Sequence, residues 1–184
     1  MGLILPATLL FTFVSAAAVA DTPTTAAHAA DASQPKLTRK EITAVDAFIK
    51  TQERVRSKKD PAHNRLEYRD ARRYAVGDAN HDRVSDVVVQ YTLEEDNNWV
   101  LFLAVFSRPT MRHLAHTRVG GKNHRTVDLR KVSDGTIELV TQNYSPADAS
   151  CCPSVPGKSL YMLTDGALEE IDAVIECSGS RPPQ

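Results

Sequence analysis

VVVQYTLEEDNNWVLFLAVF, residues 87–106, is the stretch that decides the fold. Val87 to Thr92 is a β-branched and aromatic run, and Trp99 to Phe106 is a second. Leu93 to Asn98 between them is a polar connection of hairpin length. Continuous apolar runs this short, bounded by turn residues, read as strands covered on both faces. They are therefore predicted as the central antiparallel pair of a sheet. Downstream, Leu114 to Val119, Thr126 to Val132 and Thr136 to Tyr144 read as further strands, punctuated by Gly120-Gly121 and Asp134-Gly135. Leu160 to Leu163 and Leu168 to Ile171 flank Thr164-Asp165-Gly166. Asp-Gly between apolar runs signals a tight hairpin, because such turns need positive φ. Strands joined by short turns cannot form a parallel βαβ sheet.

Upstream of this region the period changes. Thr38-Arg39-Lys40-Glu41 is a capping box, with Leu37 and Ile42 placed as a hydrophobic staple. Ile42, Val45, Phe48, Ile49 and Val55 recur at helical spacing and predict a helix to about Lys59. Asp60-Pro61 stops it, since the residue before proline disfavours the helical region. One helix followed by a run of hairpins gives an α+β fold: an N-terminal helix packed on an antiparallel β-meander of about six to seven strands.

The entry to the first central strand carries the most informative polar cluster. In DANHDRVSD, residues 78–86, side-chain oxygens fall at loop positions of Asp78, Asn80, Asp82 and Asp86, with the Val84 carbonyl between them. That spacing lets a tight loop turn oxygen ligands onto a hard cation such as Ca²⁺. Val89 stands where an EF-hand loop has its bidentate Glu, which excludes that motif. The stretch GDANHDRVSDVVV resembles the GDxNGDGxxDxxV loops of FG-GAP and VCBS repeats and dockerin-like calcium loops. The resemblance implies a calcium-binding turn leading into a strand, with Asp78, Asn80, Asp82 and Asp86 at the ligand positions. His81 and Arg83 depart from it, standing where such loops have glycine. A turn satisfied by its own Asx hydrogen bonds, or by Arg83 pairing with the carboxylates, is the metal-free alternative.

A wider likeness spans most of the chain. GDANHDRVSDVVVQYTLEEDNNWVLFLAVF, GGKNHRTVDL and SDGTIELVTQNYSPADASCCPSVPGKSLYML together resemble a group of uncharacterised secreted bacterial proteins with GDxNGDGxxDxVV and CCPS motifs. The resemblance implies an envelope or extracellular location and no particular activity.

The termini agree with export. Leu3 to Val14 is an apolar run too short to span a bilayer comfortably, and Ala18-Val19-Ala20 precedes Asp21 as a signal-peptidase pattern. The expected organisation is a signal peptide over 1–20, a disordered Ala/Thr-rich leader over 21–35, one domain over 36–177 and a tail over 178–184. No later segment is apolar enough to be a transmembrane span. In an oxidising compartment Cys151, Cys152 and Cys177 are disulfide candidates: one of the first two pairs with Cys177, or the neighbours pair with each other.

The net charge of −1 predicts no strong electrostatic partner. Bases interleaved with acids over residues 36–73 read as a solvated helix face, and export argues against a nucleic-acid role. The sequence contains no HExxH, GxSxG or phosphate-binding loop, so no catalytic residue is assigned. His63, His81, His113, His116 and His124 are available, but His113 and His116 are three apart, which places them on opposite faces of a regular strand. Arg69, Arg72 and Arg73 could hold an anion, but a solvated, partly salt-bridged face is the preferred reading. Tyr68, Tyr74, Tyr91, Trp99 and Tyr144 could line a binding face. The expectation is a non-enzymatic exported binding or structural domain with a Ca²⁺ loop and an unknown envelope or extracellular ligand. A hydrolase using Cys or a metal-bound water is the alternative.

Overall fold

The structure is a computed structural model that describes residues 34–59 and 65–175. The expected signal peptide, most of the leader, Asp60-Pro61, His63, Cys177 and the C-terminal tail lie outside the described residues. The element order is α1 (Arg39–Lys59), β1 (Leu66–Glu67), β2 (Arg73–Gly77), β3 (Asp86–Glu95), β4 (Asn98–Ser107), β5 (Arg112–Gly121), β6 (Arg125–Ser133), β7 (Thr136–Asn143), β8 (Val155–Thr164) and β9 (Ala167–Ile175). A 3₁₀ turn, Arg69–Ala71, separates β1 from β2.

The α+β expectation fits coarsely, but the molecule is dominated by one nine-stranded antiparallel sheet. The two strands beyond the expected seven are β1 and β2. Both pair with β3, opposite Leu93–Glu94 and Asp86–Gln90 respectively, so together they make one interrupted neighbour of the central strand. They are short and flanked by Arg and Glu, which hides them from an apolar-run reading. The remaining strands follow one another as a meander from β3 to β9. Asp134-Gly135 and Asp165-Gly166 turn β6 into β7 and β8 into β9 with positive φ at both positions of each pair, the backbone that Asp-Gly predicted.

Between β5 and β6 the ladder is reduced to one pair, Gly121 opposite Arg125. There the sheet turns over on itself, so that β2 lies beside β6 and β5 beside β9. This arrangement gives β3 and β4 cover on both faces. Val88, Leu101, Leu103 and Val105 face Val127, Leu129, Ile137, Leu139 and Tyr161 in the core between the two halves. Val87, Val89, Tyr91, Phe102, Ala104 and Phe106 face Val45 and Ile49 of the helix. The period-two alternation of side chains sorts the continuous apolar run into these two layers.

The helix starts as its capping box requires. Glu41 Oε2 accepts the Thr38 N–H at 2.7 Å, and Thr38 Oγ1 accepts the Glu41 N–H at 3.3 Å. The expected stripe is narrower than its spacing suggested. Val45 and Ile49 are buried, whereas Ile42 and Val55 are 40% and 45% exposed. The stripe is therefore buried only at its centre.

Candidate metal centre

The Asp78–Asp86 turn joins β2 to β3, and its geometry follows from short polar side chains competing for backbone donors. Asp78 accepts the N–H groups of Asp82 at 3.2 Å and Arg83 at 2.8 Å, one on each carboxylate oxygen. Asn80 Oδ1 accepts the Asp82 N–H at 3.0 Å, and Asp82 Oδ1 accepts the Val84 N–H at 2.8 Å. The Asn80 amide donates to Asp82 Oδ2 at 2.9 Å. His81 and Arg83 sit at φ 62° and 68°. These are the two positions where the calcium loops carry glycine, so the chain adopts the glycine conformation with side chains present. Left-handed backbone costs a non-glycine residue roughly 1–2 kcal/mol.

Asp86 is the residue at which this self-satisfaction fails. It is completely buried. Its Oδ2 accepts the Ala79 N–H at 3.0 Å, and its Oδ1 has no partner. Burial pushes its carboxyl up from the ordinary range; the backbone N–H groups of Ala79 and, more weakly, Asn80 oppose this, and the charges of Asp82 and Asp78 add to it. A buried carboxylate oxygen without a donor is costly unless a cation or proton compensates it. Asp78 and Asp82 keep coordination capacity, because an ionised carboxylate offers about four lone-pair sites and the turn uses only some. Among the described residues no three His, Cys, Asp or Glu side chains stand converged as a preassembled ligand set. The upper carboxylates lie on their own backbone, with Asp86 beneath them.

Arg83 gives its backbone N–H to Asp78. Among the described residues it forms no ion pair with the turn's carboxylates, so the Arg-paired alternative is not realised. Val84 is exposed and donates its N–H to Asp82, while its carbonyl has no role in these contacts. The turn rests on the β6–β7 hairpin. The Gly135 N–H donates to the Asp78 carbonyl at 3.2 Å, and the His81 ring lies over Gly135, where an added Cβ would meet Nε2 at 1.9 Å.

The other candidates resolve differently. Cys151 and Cys152 are bonded to each other, as in the neighbour pairing, while Cys177 of the other alternative lies outside the described residues. Their loop is organised by Asp148, which accepts from Ser145 N–H, Ser154 N–H and Ser154 Oγ at 2.7, 2.9 and 2.8 Å. Arg72 donates to Glu67, Asp46 and Tyr74, and Arg73 lies 3.5 Å from Asp128. Arg69 lies 3.9 Å from Asp46 and 3.8 Å from Glu67. These arginines therefore face carboxylates of the chain itself, as a partly salt-bridged face rather than an open anion site. The aromatic residues do not share a face. Tyr91 and Tyr74 belong to the helix side, whereas Trp99 packs on the inter-sheet core.

The histidine reading is corrected. Phe106 pairs with His113, Val105 with Ala115 and Ala104 with His116, leaving Leu114 as the extra residue of a β-bulge. The bulge shifts the side-chain alternation by one, and the rings of His113 and His116 come together with centroids 5.4 Å apart. Partial desolvation of the rings by their neighbours lowers the basicity of both. The neighbouring His116 adds to this at His113, and Arg56 adds to it at His116. Nothing in the sequence around Leu114 announces the bulge.

Two buried polar clamps were also not anticipated. The Gln90 amide donates to the Val127 carbonyl at 3.1 Å and accepts the Leu129 N–H at 2.7 Å. Arg125 gives its guanidinium donors to the Val119 carbonyl, Ser159, Tyr161 and both oxygens of Glu170, joining β5, β6, β8 and β9.

No family model matches the chain, and neither a curated protein nor a solved structure matches it. Among the described residues no helix is long and apolar enough to cross a membrane.

Proposed function

We propose that this protein is an exported, non-catalytic binding or structural domain whose Asp78–Asp86 turn holds a divalent cation, Ca²⁺. The observation that carries the reading is the partnerless Oδ1 of fully buried Asp86 beneath Asp78 and Asp82. The donor set is all oxygen, which suits a hard cation rather than a transition metal. Asp78, Asn80, Asp82 and Asp86 would hold it. Bound there, the ion supplies charge compensation, and the turn's residues orient the start of β3. The apolar run at Leu3–Val14 and the Ala18-Val19-Ala20 pattern support export. The bonded state of Cys151 and Cys152 favours a structural role for both over a thiol nucleophile.

A ligand that binds only the folded state stabilises it by mass action. Melting temperature is expected to rise with added Ca²⁺ and fall with chelator, and Asp82→Ala is expected to abolish the difference while remaining folded. Identical melting of the native chain with Ca²⁺ and with chelator would sink the cation reading.

A further inference from the structure

We infer that His113 and His116 form a second metal site, one for a first-row transition-metal ion of the Cu²⁺, Ni²⁺ or Zn²⁺ class. The inference stands apart from the Asp turn and does not depend on it. The bulge at Leu114 is what creates the site: on a regular strand the two imidazoles would lie on opposite sides of the sheet, and here they share the helix-covered face. A tetrahedral ion at about 2.0–2.1 Å from each donor sets the two nitrogens about 3.3 Å apart. The ring centroids lie 5.4 Å apart with their planes tilted by 54°, and closing on an ion requires the rings to turn toward each other.

The rings are also held. Phe48 of α1 stacks on His113 with centroids 4.4 Å apart and meets His116 edge-on at 5.5 Å, and Phe106 of β4 packs against His113 at 5.6 Å. Both residues are exposed, so an ion has access and water completes its coordination. Among the described residues no carboxylate or cysteine joins the pair as a third ligand. The charged group facing the pair is Arg56 of α1, whose guanidinium lies 4.2 Å over the Phe102 ring. It opposes every cation alike, so the site favours the ions with the strongest intrinsic affinity for imidazole, Cu²⁺ foremost. Imidazole ligation discriminates against Ca²⁺, which takes oxygen.

The test uses the full chain in excess Ca²⁺, titrated with Cu²⁺ and read by electron paramagnetic resonance and imidazole NMR. One Cu²⁺ is expected to bind with nitrogen hyperfine structure from two imidazoles, broadening His113 and His116 before the other histidines. His113→Gln and His116→Gln are each expected to lose that species while keeping the native melting curve, which separates loss of ligation from loss of fold. A copper spectrum unchanged in either folded variant overturns the proposal. So does a native spectrum with one imidazole nitrogen or none.

Discussion

Gln90 on β3 accepts the backbone N–H of Leu129 on β6 at 2.7 Å, and its amide returns a hydrogen bond to the Val127 carbonyl at 3.1 Å. The side chain thus imitates a peptide group. β6 leaves β5 after Arg125, which exposes the ladder edge of Val127 and Leu129 to the interior of the folded sheet. Gln90 fills that edge where no strand does.

Gln90→Leu keeps approximate volume and strands one buried N–H and one C=O. Each orphaned buried group costs about 1–3 kcal/mol, so the variant is expected to lose about 2–6 kcal/mol. Urea unfolding checks it: the midpoint should fall with the slope unchanged. A midpoint equal to the native one would mean that water or a strand partner replaces the amide.

Acid unfolding reports on Glu41. The hydrogen bond from Arg108 holds its carboxyl down from the usual 4.5 to about 2; burial opposes this and the Thr38 cap adds to it. A carboxyl depressed in the folded state contributes stability above its unfolded value, and that contribution is lost as pH falls through the folded one. Stability should therefore decline between about pH 4.5 and 2. Glu41→Gln, which can still serve in a capping box, should flatten this component in a pH series of denaturant melts.

Gly135 and His81 should be coupled. Gly135 has φ 71°, and a Cβ there meets the His81 ring. Gly135→Ala is expected to cost about 1–3 kcal/mol, combining left-handed strain with the clash. Adding His81→Ala should recover the clash but not the strain, so the double mutant is less destabilised than the sum of the singles. Additive melting data would place the His81 ring elsewhere.

Arg83→Gly should strengthen Ca²⁺ binding. It relieves a residue at φ 68° and removes a cation from the turn. Loss of the positive charge is the source of the gain in affinity; relief of the left-handed backbone, partly offset by glycine's unfolded-state entropy, changes fold stability by about 0.5–1 kcal/mol instead. Calorimetric titration checks the affinity, and weaker binding in the variant would count against the assigned geometry.

What could be read in advance was local. Thr38 and Glu41 are three residues apart, and Asp134-Gly135 and Asp165-Gly166 are adjacent, so their backbones follow from neighbours alone. The position of the Asp turn at the start of β3 was legible for the same reason. The rest depends on distant parts. β1 and β2 are strands because β3 lies beside them. Gln90 finds its partners 37 and 39 residues away. Arg125 reads as an ordinary surface base until the sheet folds over and gathers Ser159, Tyr161 and Glu170 around it. The bulge at Leu114 arises in the pairing of β5 with β4, so His113 and His116 became neighbours without a sequence signal.

The most direct measurement is a crystal structure of the chain grown in millimolar Ca²⁺, with the density above Asp86 inspected. The account predicts an ion with 6–8 oxygen ligands at about 2.3–2.6 Å, among them Asp86 Oδ1 and oxygens of Asp78, Asn80 and Asp82. An ordered water or a protonated carboxyl at Asp86 Oδ1, with the upper side chains still on their own backbone and no ion density, would contradict it.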